Sequence, residues 1–244
     1  MTSYAGYEFK WLRGLEKVVE NENVKYYVID SNPSRAIKFD RNWDYETYHD
    51  LPYPSTQRVK YVGGHFYFLS YDLFYKTNSV FVVSCHMSDL KFYGHLAFEF
   101  YSSQFYVSNL GKKSIHIFDT SCSLLKSISL DDRPYGLAVL NGNVFAGVSL
   151  EEFKSEVHIL VFKNYSITKD IIIDKCSQMN AFTLDSFGYF SLVCAIANST
   201  NLLLYDPNGI FTNYTITESD IQDTLIDSNG RFVIFNSESL NFYF

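Results

Sequence analysis

The sequence predicts an all-β fold, specifically a six-bladed β-propeller with four strands per blade. Three observations lead to this prediction: an aromatic-rich composition, a strand–turn–strand repeat, and an unassigned N-terminal strand that would complete the last repeat. Of the 244 residues, 47% are hydrophobic, 18% are aromatic and 19% are charged. Aromatic side chains suit a pleated, half-buried surface, and this much apolar material is enough for a sizeable core.

The repeat is clearest at Gly136–Phe145, where two apolar runs flank an Asn141-Gly142 turn. Asn-Gly between alternating apolar runs is a strong signal for a tight β-hairpin. The pattern recurs at intervals of roughly 40 residues, which is typical of propeller blades. The other five copies are Leu15–Tyr26, Val59–Tyr67, Ala97–Tyr106, Ala181–Phe190 and Thr224–Val233.

A third strand follows the hairpin in every copy, and a fourth can be placed in most copies. In the second copy, the predicted third strand is SVFVVS (79–84) and the fourth is the short LKFYG (90–94), so Tyr71–Asn78 is predicted to be a loop. Three of the third strands end in an aromatic residue followed by Asp, at Asp40, Asp119 and Asp206. A short Asp side chain can bind turn amides, so these residues indicate hairpin chemistry and not catalysis.

The sixth copy stops at Phe244 after its third strand, whereas a separate strand, Tyr4–Trp11, precedes the first copy. We expect this N-terminal strand to pair as the outer strand of the last blade, which would complete six blades in a single domain, residues 1–244. Ring closure of this kind protects sheet edges that would otherwise promote aggregation.

The stretch RPYGLAVLNGNVFAG (133–147) resembles the NHL and YVTN propeller repeats, in which Pro-x-Gly precedes an apolar strand, a turn and a second strand. The preceding SIHIFDTSCSLLKSISL (114–130) resembles the third and fourth strands of that family. Most other copies lack the Pro-x-Gly element. The family includes ligases, scaffold proteins and secreted proteins, so the resemblance implies a fold and not a chemistry.

Charge and motifs exclude several functions. The net charge of −7 and the absence of a Lys/Arg-rich run argue against a nucleic-acid partner. No apolar run reaches the roughly 18–20 residues of a transmembrane helix, so we expect no membrane insertion. The common hydrolase, metalloprotease and dinucleotide motifs are absent, and the six histidines are spread along the chain, so no cofactor or zinc site is expected.

A second resemblance is to the six-bladed gluconolactonase and strictosidine-synthase propellers. This resemblance implies a calcium ion in the central channel. The corresponding channel-rim positions here offer few oxygen ligands, and two arginines would oppose a dication, so we expect no metal. The enzyme alternative is a lactonase-like hydrolase or lyase, and it would need carboxylates or histidines to converge at this rim. The predicted rim residues are Arg13, Arg58, His95, Tyr135, Asn180 and Gln222.

Loops on the same face combine aromatic and acidic side chains, which could bind a basic peptide or stack on sugar rings. One alternative is a solvated loop face without a ligand, and another is that the rings of the 71–78 loop belong to the core. The predicted binding residues are Tyr71, Phe74, Tyr75, Asp131, Asp132, Tyr135, Glu151 and Glu152.

Four cysteines can form two disulfide bonds in three ways, and the bonds that fit the predicted blade geometry are 176–194 and 85–122. Four reduced thiols are the alternative. Three N-x-S/T sequons, at Asn164, Asn198 and Asn213, fall in predicted turns or loop edges. Together they favour an extracellular protein over a cytoplasmic one. The sequence therefore predicts a monomeric, non-enzymatic binding module for a protein or glycan ligand. The predicted disulfide residues are Cys85, Cys122, Cys176 and Cys194.

Overall fold

The structure, a computed structural model, describes residues 11–88, 94–99, 102–149, 157–173, 176, 178–184, 188–196, 199–218, 221–226, 232–236 and 240–243. The chain divides into two compact units, one of residues 1–89 with 222–244 and one of residues 90–221. The prediction of a single domain stays a prediction. Within the described ranges, no helix has the length and apolarity needed to cross a membrane.

Five four-stranded antiparallel sheets, the blades, follow one another along the chain. The first blade contains β1 (Leu12–Glu20), β2 (Asn23–Ser31), β3 (Ser34–Phe39) and β4 (Tyr45–Asp50). The second contains β5 (Thr56–Val62), β6 (His65–Ser70), β7 (Phe74–Thr77) and β8 (Val83–Met87). The third contains β9 (Leu96–Glu99), β10 (Gln104–Asn109), β11 (Ser114–Phe118) and β12 (Leu124–Ser129).

The remaining strands lie in the second half of the chain. The fourth blade contains β13 (Arg133–Leu140), β14 (Asn143–Ser149), β15 (Val157–Lys163) and β16 (Ser166–Ile173). The fifth contains β17 (Gln178–Leu184), β18 (Phe190–Ile196), β19 (Ser199–Tyr205) and β20 (Phe211–Glu218). A final three-stranded sheet contains β21 (Ile221–Ile226), β22 (Phe232–Asn236) and β23 (Leu240–Tyr243).

The molecule is an all-β propeller with five four-stranded blades, so the prediction of six four-stranded blades is wrong. The sixth copy of the repeat supplies three strands, and they form the final sheet, which has no fourth strand among the described residues. The closing strand was assigned to Tyr4–Trp11, of which residues 4–10 lie outside the described residues. Trp11 precedes β1 and is not part of a strand.

The second blade also differs from its predicted strand positions. Its third strand is β7 (Phe74–Thr77), inside the segment predicted to be a loop, and its fourth strand is β8 (Val83–Met87). The apolar run SVFVVS instead divides between a turn and the start of β8. Four consecutive β-branched or aromatic residues in that run (80–83) favoured a strand, but the turn that begins at Asn78 extends into the run.

The first hairpin follows the predicted turn chemistry in the first and fourth blades. Asn21 and Glu22 turn the first blade with φ of 48° and 68°, and Asn141 and Gly142 turn the fourth with φ of 50° and 74°. Positive φ at both central residues gives the turn type whose twist matches that of the flanking strands. The predicted turns at these two hairpins are confirmed.

A five-residue turn joins the third and fourth strands in four blades, and it begins with an Asp or Asn. In the first blade, the Asp40 Oδ1 atom accepts hydrogen bonds from the amides of Asn42 (2.8 Å) and Asp44 (2.9 Å). Asn78, Asp119 and Asp206 accept the equivalent pairs of bonds in their blades. These aspartates bind turn amides, as the sequence predicted.

The fourth residue of each turn has a left-handed backbone and is buried or closely packed. Its φ is 69° at Trp43, 63° at Phe81, 64° at Cys122 and 85° at Gly209. Phe81 packs on the preceding blade, with its ring centroid 4.5 Å from that of His49. At Gly209 a Cβ atom would lie 2.3 Å from Ile171 of the preceding blade, so glycine is required there.

Hydrophobic clusters fill the space between neighbouring blades of the same unit. One cluster combines β1–β3 with β5–β7, a second combines the third and fourth blades, and a third combines the fourth and fifth. The first strands of neighbouring blades contact each other, whereas β12 and β16 are largely exposed. The first strand is therefore the inner strand of each blade and the fourth is the outer one.

Candidate ligand-binding rim

A β-bulge lies near the start of four inner strands. The pairing register shifts between Leu12 and Gly14 in β1, Thr56 and Arg58 in β5, Pro134 and Gly136 in β13, and Met179 and Ala181 in β17. Each shift leaves one residue outside the ladder, and bulges commonly direct such a residue towards a functional surface. The four bulge residues are Arg13, Gln57, Tyr135 and Asn180.

A glycine follows two of these bulges because the neighbouring inner strand approaches closely. A Cβ atom at Gly14 would lie 2.5 Å from the carbonyl oxygen of Gln57, and one at Gly136 would lie 2.5 Å from Cβ of Phe182. In the Pro134-Tyr135-Gly136 element, Tyr135 is thus the bulge residue, and Gly136 is the close-contact residue, the position at which the neighbouring inner strand leaves no room for a Cβ atom. In the first blade, Leu12-Arg13-Gly14 has the same arrangement without the proline.

Trp11 immediately precedes β1, and its side chain is 50% exposed. Its backbone amide and backbone carbonyl are nonetheless both hydrogen-bonded. The amide donates to Oδ1 of Asp30 (2.9 Å), and the carbonyl accepts bonds from the amide (2.8 Å) and the hydroxyl (3.2 Å) of Ser31. The guanidinium carbon of Arg13 lies 5.3 Å from the centroid of the Trp11 ring, within the range of a cation–π contact.

Arg58 holds the two bulges of this unit together. Its Nη1 atom donates to the backbone carbonyl of Arg13 and, at 3.0 Å, to that of Gln57. The side chain therefore crosses from the second blade to the first and fixes the backbone of both bulge residues. We refer to Trp11, Arg13, Gln57 and Arg58 as the Trp11 rim.

The Trp11 rim corresponds in part to the predicted channel rim. Arg13 is the bulge residue of β1, and Arg58 is displaced by one position from the bulge residue Gln57. Trp11 was not predicted, because it was assigned to the closing strand. No local pattern in the sequence distinguishes Trp11 from a residue of a strand.

The other predicted rim residues lie at inner-strand starts. In the second unit, Tyr135 is a partly buried bulge residue that packs against the cluster of the fourth and fifth blades, and His95 is buried directly before β9. The His95 amide donates to the Ser108 hydroxyl at 2.7 Å. Asn180 lies at the β17 bulge, and Gln222 lies in β21.

Two residues of the predicted binding face belong to the core. Phe74 and Tyr75 are both 0% exposed, because they lie in β7 and not in a loop. The Tyr75 ring centroid lies 5.0 Å from that of Phe68, and its hydroxyl lies 2.9 Å from the Thr56 hydroxyl. Burial raises the pKa of Tyr75 well above its usual range. These two rings are therefore unavailable to a partner, whereas Tyr71 is 45% exposed.

In the acidic part of the predicted face, Lys113 lies close to both Asp131 and Asp132. Asp131 is exposed, but its backbone carbonyl accepts a hydrogen bond from Nζ of Lys113 (3.2 Å), and that same Nζ lies 3.8 Å from Oδ1 of Asp132. The negative charge of Asp132 is thus partly balanced. Glu151 and Glu152 lie outside the described residues.

A polar group at the end of the third blade resembles a Ser–His pair, but its hydrogen bonds favour the reverse direction of proton donation. Oδ1 of Asn109 accepts from the Lys112 amide (2.9 Å), which turns its Nδ2 atom towards Nε2 of His116 (3.4 Å). An amide nitrogen can only donate, so Nε2 accepts and Nδ1–H donates to the Ser127 hydroxyl (2.8 Å). Burial, aided by the Lys112 charge, lowers the pKa of His116. In this arrangement His116 donates to the Ser127 hydroxyl and does not accept from it.

A pair formed by a histidine and an aspartate joins β15 and β16 of the fourth blade. Nδ1 of His158 lies 3.0 Å from both carboxylate oxygens of Asp170. This is a cross-strand pair of the kind that stabilises sheets. Among the described residues, no group of three His, Cys, Asp or Glu side chains is arranged to hold a metal ion.

The cysteines are oxidised. Cys176 and Cys194 form a disulfide bond with Cα atoms 5.3 Å apart, and both are fully buried in the cluster of the fourth and fifth blades. This is the predicted 176–194 pairing. None of the four cysteines, all within the described residues, is a free thiol. The 85–122 pairing stays a prediction.

Comparison with known proteins supports the fold class alone. No family model matches the sequence, and no curated protein matches it. The structure is similar to hydrazine synthase of Kuenenia stuttgartiensis, with a TM-score of 0.74, 10% identity, and coverage of 95% of this chain and 75% of that chain. It is similar to a gluconolactonase of Xanthomonas campestris, with a TM-score of 0.69, 12% identity, and coverage of 96% and 87%.

It is also similar to a streptogramin B lyase, with a TM-score of 0.67, 11% identity, and coverage of 96% of this chain and 97% of that chain. At identities this low, the similarity shows the propeller fold alone. The propeller class is therefore shown, and the assignment to the NHL and YVTN repeats stays a prediction.

Proposed function

We propose that this chain is a non-enzymatic binding module, and that the Trp11 rim is part of the surface that contacts a protein or glycan ligand. The observation that carries the proposal is the state of Trp11: its indole is half-exposed, yet its backbone is held by hydrogen bonds to Asp30 and Ser31. An aromatic side chain that is both displayed and preorganised loses little entropy when it binds.

The residue types at the rim support binding over catalysis. Tryptophan and arginine are the side chains that most often dominate binding energy at interfaces. The bulge positions of this unit carry a guanidinium and an amide, and neither is the carboxylate or histidine that a hydrolytic site would use. The proposal also includes an extracellular location for a monomer, supported by the oxidised cysteines, because disulfides persist in oxidising compartments.

The test is a screen of the purified protein against a glycan array and a library of secreted proteins. Trp11→Ala should abolish binding to the partners found with the wild type while leaving the melting temperature nearly unchanged. Tyr45→Ala is the matched control, since Tyr45 is 36% exposed in the same blade but follows the turn at its opposite end. Partners that bind the Trp11 variant as tightly as the wild type would refute the role of this rim.

A further inference from the structure

The β15–β16 turn displays an asparagine at its tip, with the side chain in solvent. Asn164 and Tyr165 are the two turn residues, with φ of 50° and 66°, and Asn164 is exposed. The Asn164 side-chain amide makes no hydrogen bond to any residue that the structure describes. Asn164 also begins the triplet Asn164-Tyr165-Ser166, which is one of the three N-x-S/T sequons of the chain.

From this arrangement we infer that Asn164 is an N-glycosylation site, which carries an oligosaccharide linked through N-acetylglucosamine. This inference rests on the extracellular location included in the proposed function. In the transfer, the bond from C1 of the first N-acetylglucosamine to the diphosphate of a lipid carrier breaks, and a bond from C1 to Nδ2 of Asn164 forms. Nδ2 loses one proton, and the lipid diphosphate leaves. We assign the modification to Asn164 alone, because Asn213 lies inside β20 and Asn198 lies outside the described residues.

The side chain of Tyr165 holds this turn against the third blade. Its hydroxyl lies 2.8 Å from Nε2 and 3.0 Å from Oε1 of Gln104 in β10. Nζ of Lys126 in β12 lies 4.7 Å from the centroid of the Tyr165 ring. The Asn164 side chain takes part in none of these contacts. A glycan on Asn164 therefore leaves the contacts that fix the turn intact.

The strand that follows the turn leaves room for a bulky group. β16 is an outer strand, and among the described strands it pairs with β15 alone. Ser166, the hydroxyl residue of the sequon, begins a run of five exposed residues that ends at Asp170. Ile167 in this run is 54% exposed. An oligosaccharide at the start of an edge strand displaces no part of the sheet, and it hinders pairing of that edge with another chain.

The alternative is that asparagine occupies position 164 only because it tolerates the left-handed backbone of the turn. Three variants separate these two explanations. Asn164→Gly keeps a residue suited to positive φ but removes the nitrogen that carries the glycan. Ser166→Ala keeps Asn164 and removes the sequon. Ser166→Thr is the matched control, because it changes the same residue and keeps the sequon.

The test is mass spectrometry of the protein secreted from human cells behind a cleavable signal sequence. Peptide N-glycosidase in water labelled with heavy oxygen converts a glycosylated asparagine to a labelled aspartate. The tryptic peptide that contains position 164 has no other asparagine, so the label is assigned directly. We expect most of Asn164 to be labelled in the wild type and in the Ser166→Thr variant. The Asn164→Gly and Ser166→Ala variants should carry no label in this peptide.

An unmodified Asn164 in the secreted wild type would overturn the assignment in favour of the turn role alone. A label that persists in the Ser166→Ala variant would reveal spontaneous deamidation and would also overturn it. If Asn164 is unmodified but the screen finds a Trp11-dependent partner, the assignment fails and the proposed binding function stands. If Asn164 is modified but no partner depends on Trp11, the assignment stands and the role of the Trp11 rim fails.

Discussion

The indole of Trp43 stacks on the phenol ring of Tyr26, with ring centroids 3.9 Å apart and planes inclined by 11°. Trp43 is the left-handed residue of the β3–β4 turn, with φ of 69°, and it is fully buried. It joins a cluster that includes Leu12 of β1 and Val233 of β22. A turn residue therefore supplies part of the core.

Trp43→Ala should lower the free energy of unfolding by about 3–5 kcal/mol, because a large buried ring is removed and the space cannot fully collapse. Urea denaturation followed by circular dichroism measures the change. Trp11→Ala is the matched control, and its half-exposed ring should cost within about 0.5 kcal/mol. Equal losses in the two variants would contradict the assignment of Trp43 to the core.

The sequence allowed the turns to be predicted, but not what their left-handed residues do. Asp40, Asp119 and Asp206 were recognisable because each follows an aromatic residue at a strand end. The contribution of Trp43 or Phe81 depends on the neighbouring sheet, which no local pattern reports. The second blade was misplaced for the same reason, because Asn78 begins a turn inside an apolar run and only its hydrogen bonds to Val80 and Val82 show this.

Asp119 should make the fold sensitive to acid. Partial burial acts to raise the pKa of Asp119, but hydrogen bonds from Ser121 and Ser123 outweigh it and hold the pKa below its ordinary value. The unfolded-state pKa is about 3.9. The carboxylate therefore stabilises the fold above that pH, and the contribution is lost as the pH falls through the folded-state pKa.

Asp119→Asn should remove this dependence while keeping the turn, because Asn78 makes the same bonds with an amide oxygen. Melting temperatures between pH 7 and pH 2 test this. Near pH 7 the variant should melt below the wild type, because the contribution of the charge is lost, and the difference should shrink in acid as the wild-type carboxylate is protonated. Asp119→Ala should melt lower at both ends. A variant with the wild-type slope in acid would show that Asp119 does not contribute to it.

The buried disulfide should contribute substantially to stability. Cys176 and Cys194 are 18 residues apart in sequence, and a loop of that size corresponds to about 3 kcal/mol in the chain-entropy description. Replacing both with Ala should lower the free energy of unfolding by about that amount. Replacing both with Ser should cost more, because two hydroxyls would be buried in an apolar cluster.

Mass spectrometry after alkylation of the non-reduced protein checks the premise. No cysteine should be labelled before reduction, and all four should be labelled after it. Because both residues are fully buried, the alkylation is carried out in urea, where labelling of Cys176 or Cys194 without a reductant would contradict the bond.

The candidate rim was only partly predictable. The predicted rim included the bulge residues Arg13, Tyr135 and Asn180, but in the second blade it named Arg58, one residue after the bulge residue Gln57. A single sequence does not mark a bulge unless the close-contact residue after it is a glycine, as at Gly14 and Gly136. Trp11 could not be recognised, because an aromatic residue before a strand is equally typical of the strand itself.

Gly136 should be sensitive to the smallest substitution. A Cβ atom there would lie 2.5 Å from Cβ of Phe182 and 3.2 Å from its backbone nitrogen, so the inner strands of the fourth and fifth blades would have to separate. Gly136→Ala should therefore lower the free energy of unfolding by about 1–3 kcal/mol, the usual cost of overpacking. Gly111→Ala is the matched control in the same unit, because its nearest neighbour, Oδ1 of Asn109, would be 3.7 Å away. Chemical denaturation of both variants measures the difference. If the two alanines cost the same, the close approach of β13 and β17 at the bulge is not what requires glycine at position 136.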